Sequence, residues 1–227
     1  MSRVLVTGGA SGIGAATVSL LAGAGDDVIA ADLVAGDSVV ALDVTDEASW
    51  EAVLDAHWPL DALVNCAGVR TRRALLDLSV EEFDALLAVH ARGAFLGTRG
   101  LARRLKRDGR PGAVVNVAST VATHAVSGQV HYVAAKGAVA AMTRAAALEL
   151  APLGIRVNCV VPGLIRTPMT ADRLSDPEQR AWFEGRVPLR RPGEPSEVAG
   201  AIAYLLSEQA AYVTGAALAV DGGYTAW

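Results

Sequence analysis

The chain has 227 residues, is 52% hydrophobic but only 5% aromatic, and carries a formal net charge of −4 at pH 7. That balance argues against a phosphate-backbone partner, which calls for clustered Lys and Arg, and the length suits one α/β domain over residues 1–227, with no Pro/Ser-rich linker or charge block to divide it. A core of Ala, Val and Leu is expected, and the only two cysteines, Cys66 and Cys159, follow apolar runs and read as small core side chains rather than a disulfide, which fits a reducing, cytoplasmic setting.

Val4 to Val6 reads as a short strand that stops at Thr7-Gly-Gly-Ala-Ser-Gly-Ile-Gly14, after which Ala15 to Ala24 reads as a helix ending at Gly25. Residues 4–25 carry no charge, but six glycines, at 8, 9, 12, 14, 23 and 25, suit neither a membrane span nor a secretion signal. Val28 to Ala31 forms a second strand ending at Asp32, and Val39 to Leu42 a third ending at Asp43. Only six residues separate Asp32 from Val39, too few for a regular crossover helix. A helix over Glu47 to Ala56, a strand over Ala62 to Asn65, a long helix within Ser79 to Lys106 and a strand over Ala113 to Val117 follow. The next helix starts near Gly128 and ends near Gly154. Strand Ile155 to Val160, a loop with short helices, a helix from Pro195 to Leu206 and a strand near Ala217 to Val220 complete the chain. The alternation predicts a doubly wound parallel sheet of about seven strands with helices on both faces, and ligands at the carboxyl ends of the strands. Two basic clusters, Arg70, Arg72 and Arg73, and Arg103, Arg104, Lys106 and Arg107, read as solvated faces.

Gly8, Gly12 and Gly14 lie between the first strand and helix, where a backbone without Cβ can turn tightly and let a pyrophosphate approach helix-terminal N–H groups. Their spacing, Gly-x-x-x-Gly-x-Gly, departs from the usual dinucleotide fingerprint, and a structural turn without a ligand stays open as an alternative. Asp32 ends the second strand eighteen residues after Gly14, where a carboxylate can accept hydrogen bonds from a ribose diol and would repel a 2′-phosphate. With no Lys or Arg in the glycine turn, NAD(H) is favoured over NADP(H); a plain loop Asp suits the same place. Tyr132 and Lys136, four residues apart on one helix face, bring an ammonium near a phenol. A cation there would lower the phenol from its ordinary value near ~10 and fit it for general acid/base work. Alone, such a pair equally describes a ring beside an alkyl stem.

Taken in order, Thr7-Gly-x-x-x-Gly-Ile-Gly14, Asp43-Val44, Asn65-Cys-Ala-Gly68, Ser119, Tyr132-x-x-x-Lys136, Pro162-Gly163 and Val220-Asp-Gly-Gly223 resemble the classical short-chain dehydrogenase/reductase family over essentially the whole chain. The resemblance implies a Rossmann-like fold and transfer of hydride between NAD(H) and a small or medium secondary alcohol or ketone. It implies that Tyr132 exchanges the proton of the substrate oxygen, that Ser119 steadies that oxygen, and that Lys136 lowers the tyrosine pKa and holds nicotinamide-ribose hydroxyls. Cofactor contacts are implied for Gly8, Ser11, Gly12, Ile13 and Gly14, for Asp32, and for Asp43 and Val44 at the adenine. Asn65, Ala67 and Gly68 would form the turn beside the adenosine, and Pro162, Gly163, Ile165 and Thr167 the carboxamide site. Asn65 and Pro162-Gly163 equally suit ordinary post-strand turns.

One position departs from the family pattern: in Leu87-Ala-Val-His90-Ala-Arg-Gly93 the family usually has Asn where this chain has His90. The family role of that Asn runs through a backbone carbonyl that any residue supplies, so His90 is kept as a catalytic candidate beside the alternative of a packed helix histidine. His57, His124 and His131 lack metal-ligand spacing, and no metal is expected. His124, Val126 and Gln129 lie where the family lines its substrate pocket, with exposed loop residues as the alternative. Segment 169–190, with Leu174, Trp182 and Phe183, reads as a short lid with an apolar inner side. A cyclic alcohol or diol, a hydroxyacyl thioester, a sugar or a steroid would each suit such a pocket. The resemblance also implies a homo-oligomer, often a tetramer paired through the long helices and the carboxyl-terminal strand. Two other functions remain open: a catalytically silent cofactor-binding regulator or scaffold, and an epimerase-type enzyme using bound NAD.

Overall fold

Strands β1 (Arg3–Thr7), β2 (Asp27–Asp32), β3 (Val39–Ala41), β4 (Ala62–Asn65), β5 (Gly112–Val117), β6 (Ile155–Pro162) and β7 (Ala217–Val220) form one sheet in the computed structural model, which describes residues 1–226. Their order is β3-β2-β1-β4-β5-β6-β7, and every neighbouring pair is parallel. The order reverses between β1 and β4, which opens a crevice at the carboxyl ends of the strands, the place where such sheets bind ligands.

Successive side chains of a strand point to opposite faces. Val4 and Val6 of β1, Val64 of β4 and Val115 of β5 therefore face one layer, made by helices α1 (Gly12–Gly23) and α8 (Pro195–Leu206). Leu5, Leu63 and Val114 face the other, with Trp50, Leu101 and Leu105 from α2 (Glu47–Ala56) and α4 (Gly93–Asp108), backed by Ala147 of α5 (Val130–Leu150). Both faces being covered, the strands read as continuous apolar runs rather than alternating ones. As the short spacing predicts, no helix joins β2 to β3.

The expected single helix within Ser79 to Lys106 is two helices. Helix α3 (Val80–Leu87) starts at a reciprocal cap between Ser79 and Glu82, and a π turn over Ala88–Arg92 separates it from α4. Such a turn inserts a residue and shifts the helix register, and turns of this kind often mark functional sites. Here it carries His90, which is 3% exposed. Arg104 corrects the reading of residues 103–107 as a solvated face: it is 7% exposed and its guanidinium pairs with Glu51 at 2.7 Å and with Asp55, clamping α4 onto α2. Short helices α6 (Ala171–Ser175) and α7 (Pro177–Glu184) follow β6. No helix among the described residues is long and apolar enough to cross a membrane.

Helix α4 lies close against the sheet because Gly97 has no side chain. A Cβ there would fall 2.5 Å from the Trp50 ring and 2.7 Å from Asn65 Oδ1. Trp50 is 1% exposed and has nowhere to move. Gly97→Ala gains at most ~1 kcal/mol of helix propensity, against ~1–3 kcal/mol for overpacking a closed core. The expected result is a lower melting temperature, by roughly 3 °C or more; thermal unfolding showing an equal or higher value would refute this packing account.

Candidate active site

The glycine turn between β1 and α1 is shaped by close approach. Gly8 has φ 67°, and a Cβ on it would lie 2.9 Å from the Ala67 backbone; a Cβ on Gly14 would lie 2.0 Å from the Gly8 carbonyl oxygen. No side chain fits at either position, so two backbone segments press together under the first turn of α1. That turn has Ser11 as its N-cap with no side-chain hydrogen bond and no acidic residue. Its N–H groups are thus left for an external acceptor, which suits a pyrophosphate.

A cleft of about 340 Å³ runs from this turn across the carboxyl edge of the sheet. Gly8, Ser11, Gly12, Ile13 and Gly14 line it, as do Asp32, Asp43 and Val44 past β2 and β3, and Ala67 and Gly68 past β4. Pro162, Gly163, Ile165 and Thr167, past β6, complete the set. Asp32 accepts N–H bonds from Ala10 at 3.2 Å and Leu33 at 2.8 Å, and no arginine lines the cleft, whose one Lys is Lys136.

Asn65 is the exception among the expected cofactor contacts. Its amide points into the core, donating to Asn116 Oδ1 at 2.8 Å, Thr98 Oγ1 at 3.2 Å and the Ala94 carbonyl at 3.4 Å. It ties β4 to β5 and α4 instead of lining the cleft. The neighbouring turn is held by Thr7, whose hydroxyl accepts the N–H groups of Cys66 and Ala67 at 3.0 Å each. Burial pushes the Cys66 thiol up to about 11, so it stays protonated.

Ser119 follows β5 and caps a 3-10 turn over Thr120–Ala122. Tyr132 and Lys136 stand on one face of α5 and are 9% and 5% exposed. The ammonium of Lys136 donates to the Val117 carbonyl at 2.6 Å and lies 5.8 Å from the Tyr132 ring centre. Burial pushes Lys136 down to about 8. Burial raises the Tyr132 phenol above its ordinary range, and the groups that oppose it are the hydrogen-bonded Ser119 hydroxyl and the charge of Arg70.

His90 sits edge-on to Tyr132, ring centres 5.4 Å apart. Its Nε2 is 2.7 Å from the Val69 carbonyl, so that nitrogen carries the proton and donates. Nδ1 is buried without a partner. Burial pushes the imidazole down to about 3, leaving it neutral.

A second pocket of about 70 Å³ shares Ser119, Tyr132, Gly163, Met169 and Thr170 with the cleft. His124, Val126 and Gln129 line it, as expected, and so do Trp182 and Phe183 of α7, whereas Leu174 does not. Phe183 stacks on Tyr224 at 5.6 Å. His131 is fully buried, with Nε2 2.7 Å from the Thr71 hydroxyl, and stays outside the pocket. Sequence reasoning missed Arg70, Arg173 and Tyr224. Arg70 in particular is no solvated residue: its side chain is 8% exposed. Its place just beyond β4, at the ligand-binding edge, was the available signal. Among the described residues, no group of three or more His, Cys, Asp or Glu side chains is placed to hold a metal ion.

A family model described as enoyl-(acyl carrier protein) reductase matches residues 8–225. A cyclopentanol dehydrogenase from a Comamonas species is 40% identical over 242 residues, covering 98% of this chain and 96% of that protein. The solved structure of a 4-hydroxyisoleucine dehydrogenase complexed with NADH superposes with a TM-score of 0.95 at 30% identity, covering all of both chains. An Agrobacterium tumefaciens structure with bound NADP gives 0.95 at 34% identity, covering 100% of this chain and 97% of that one. With a match this long, a seven-stranded parallel sheet and Ser119, Tyr132 and Lys136 gathered at its carboxyl edge, the chain belongs to the classical short-chain dehydrogenase/reductase family.

Proposed function

We propose that the protein is an NAD(H)-dependent oxidoreductase that interconverts secondary alcohols and ketones, with Tyr132 as general acid and base. The observation that carries this reading is the position of Ser119 and Tyr132, which line both the glycine-turn cleft and the aromatic-walled pocket. When bound, a nicotinamide cofactor supplies the two-electron acceptor or donor. The cradle under α1, the Asp32 carboxylate and the Lys136 ammonium are the groups that would hold it. In oxidation Tyr132 takes the hydroxyl proton; in reduction it returns a proton to the developing alkoxide. Ser119 donates to the same oxygen and holds it against the phenol. The similarity to a cyclopentanol dehydrogenase supports a secondary alcohol as substrate. Structures of relatives with NADH and with NADP leave cofactor choice to the local chemistry, and here that is a carboxylate at the end of β2 with no arginine lining the cleft.

The proposal includes segment 169–190 as a cover, since Met169, Trp182 and Phe183 line the pocket. It also includes self-assembly through α4, α5 and the edge strand β7, supported by exposed Phe95, Leu148 and Leu218. The scaffold and epimerase readings have no observation in their favour beyond the shared cleft.

His90, neutral and donating to Val69, acts as a positioning residue for the turn after β4 rather than as a proton carrier.

Tyr132→Phe is expected to lower kcat by roughly a hundredfold or more while fluorescence titration shows NADH binding retained; unchanged turnover refutes the proton role. Asp32→Ala should shrink the preference for NAD+ over NADP+ by about tenfold in kcat/KM, the size of one lost charge-assisted hydrogen bond; an unaltered ratio counts against the ribose assignment. For His90, the folded imidazole at about 3 lies below the unfolded value near 6.5. Between those values the unfolded chain binds the extra proton, so this residue costs stability as pH falls, by up to ~1.4 kcal/mol per unit. Urea unfolding at pH 6.5 and 5 should therefore show His90→Asn losing roughly 1.5 kcal/mol less than the parent over that interval; parallel losses would overturn the neutral-imidazole assignment.

A further inference from the structure

We propose that the substrate is a hydroxy acid or keto acid whose carboxylate is bound by Arg173, with Arg70 behind it, in the pocket beside Tyr132; this rests on the oxidoreductase reading above. The lining of that pocket is unbalanced in both charge and hydrogen bonding. Arg70 and Arg173 contribute two guanidinium groups, and no Asp or Glu lines it. Gln129, 1% exposed, adds an Nε2 donor that is buried without a partner.

The two arginines have different partners. Arg70 is anchored: its Nη2 donates to the Met169 carbonyl at 3.0 Å and pairs with Asp172 at 2.8 Å. Its Nε and Nη1 are buried and unpartnered, so this cation is only part-satisfied and is fixed in place. Arg173, half-buried, makes no ion pair and no side-chain hydrogen bond among the described residues. Burial and the nearby charges of Arg70 and Arg72 all press its guanidinium below its ordinary value, with Asp172 opposing them. Asp172 already serves Arg70 and its side chain is 64% exposed.

A guanidinium does not release its proton in a protein. A half-buried cation beside two others is stabilised by an anion, and the lining supplies none. Arg70 and Arg173 line the same pocket as Tyr132, which puts the cationic wall beside the reacting oxygen. A molecule carrying a secondary hydroxyl and a carboxylate satisfies both ends of the pocket at once. A neutral alcohol leaves Arg173 uncompensated. The planar fork of Arg matches a carboxylate in geometry as well as in charge.

The test compares lactate, 3-hydroxybutyrate and 3-hydroxypentanoate with their methyl esters as substrates with NAD+, in the parent and in Arg173→Gln and Arg173→Lys. At least one acid is expected to exceed its ester about tenfold in kcat/KM. Arg173→Gln should reduce that ratio about tenfold, mainly through KM, with Arg173→Lys intermediate. Loss of one charge-assisted contact has this size. A merely structural role for Arg173 would lower acid and ester together and keep the ratio, and that result overturns the proposal. In parallel, glutarate and dimethyl glutarate are titrated calorimetrically into the NADH-loaded protein. Saturable binding of glutarate that Arg173→Gln weakens about tenfold is expected, whether or not any alcohol is oxidised. Oxidation of neutral alcohols with no acid preference and no glutarate binding sinks the anion site and leaves the oxidoreductase reading. Arg173-dependent glutarate binding in a protein that oxidises nothing sinks that reading and leaves the anion site.

Discussion

The Lys136 ammonium, 5% exposed, donates to the Val117 carbonyl at 2.6 Å, and this bond sets where helix α5 meets the end of β5. A buried charge without such an acceptor would be costly. Around it, Asn116 donates to the Thr143 hydroxyl at 2.9 Å and receives the Asn65 amide at 2.8 Å, so β4, β5 and α5 are joined by a satisfied polar network. Ser119 leaves β5 two residues after Val117, and Tyr132 stands one helical turn before Lys136. Their meeting follows from this one junction.

Charge is distributed unevenly along the carboxyl edge of the sheet. Asp32 marks one side of the cleft, past β2, while Arg70 and Arg173 mark the pocket on the other side of Tyr132. Between them the titratable groups are held in forms that water would not favour to the same degree: a neutral imidazole at His90, a protonated thiol at Cys66, and a phenol raised by burial. Burial is the first cause in all three. The cation acting on the phenol comes from the pocket side, from Arg70.

Most of the fold was legible in the chain because its signals are local. Apolar runs of three to eight residues, glycines at the end of β1 and the missing crossover between Asp32 and Val39 depend on neighbours a few positions apart. Helix α1 begins at Gly12, before the expected Ala15, because its first turn is built from the glycine segment itself. The π turn at Ala88–Arg92 was not legible, since a one-residue shift within an amphipathic helix leaves the composition of the segment unchanged. The glycine turn, Asp43, Val44, Ala67, Gly68, Ser119, Tyr132, Lys136, Pro162 and Gly163 line one cleft, whereas the side chain of Asn65 turns into the core and Val220 to Gly223 lie outside that cleft.

The sequence by itself determined the order of strands and helices, the glycine turn under α1, and the Ser119, Tyr132 and Lys136 constellation, because each rests on residue type and short-range spacing. Only the tertiary structure decided which cations are buried. Arg70 and Arg72 stand two residues apart, as do Arg104 and Lys106, yet the first of each pair is enclosed and the second exposed. The reason is physical: the environment of a long charged side chain is set by distant elements packing over it, here Asp172 for Arg70 and Glu51 with Asp55 for Arg104.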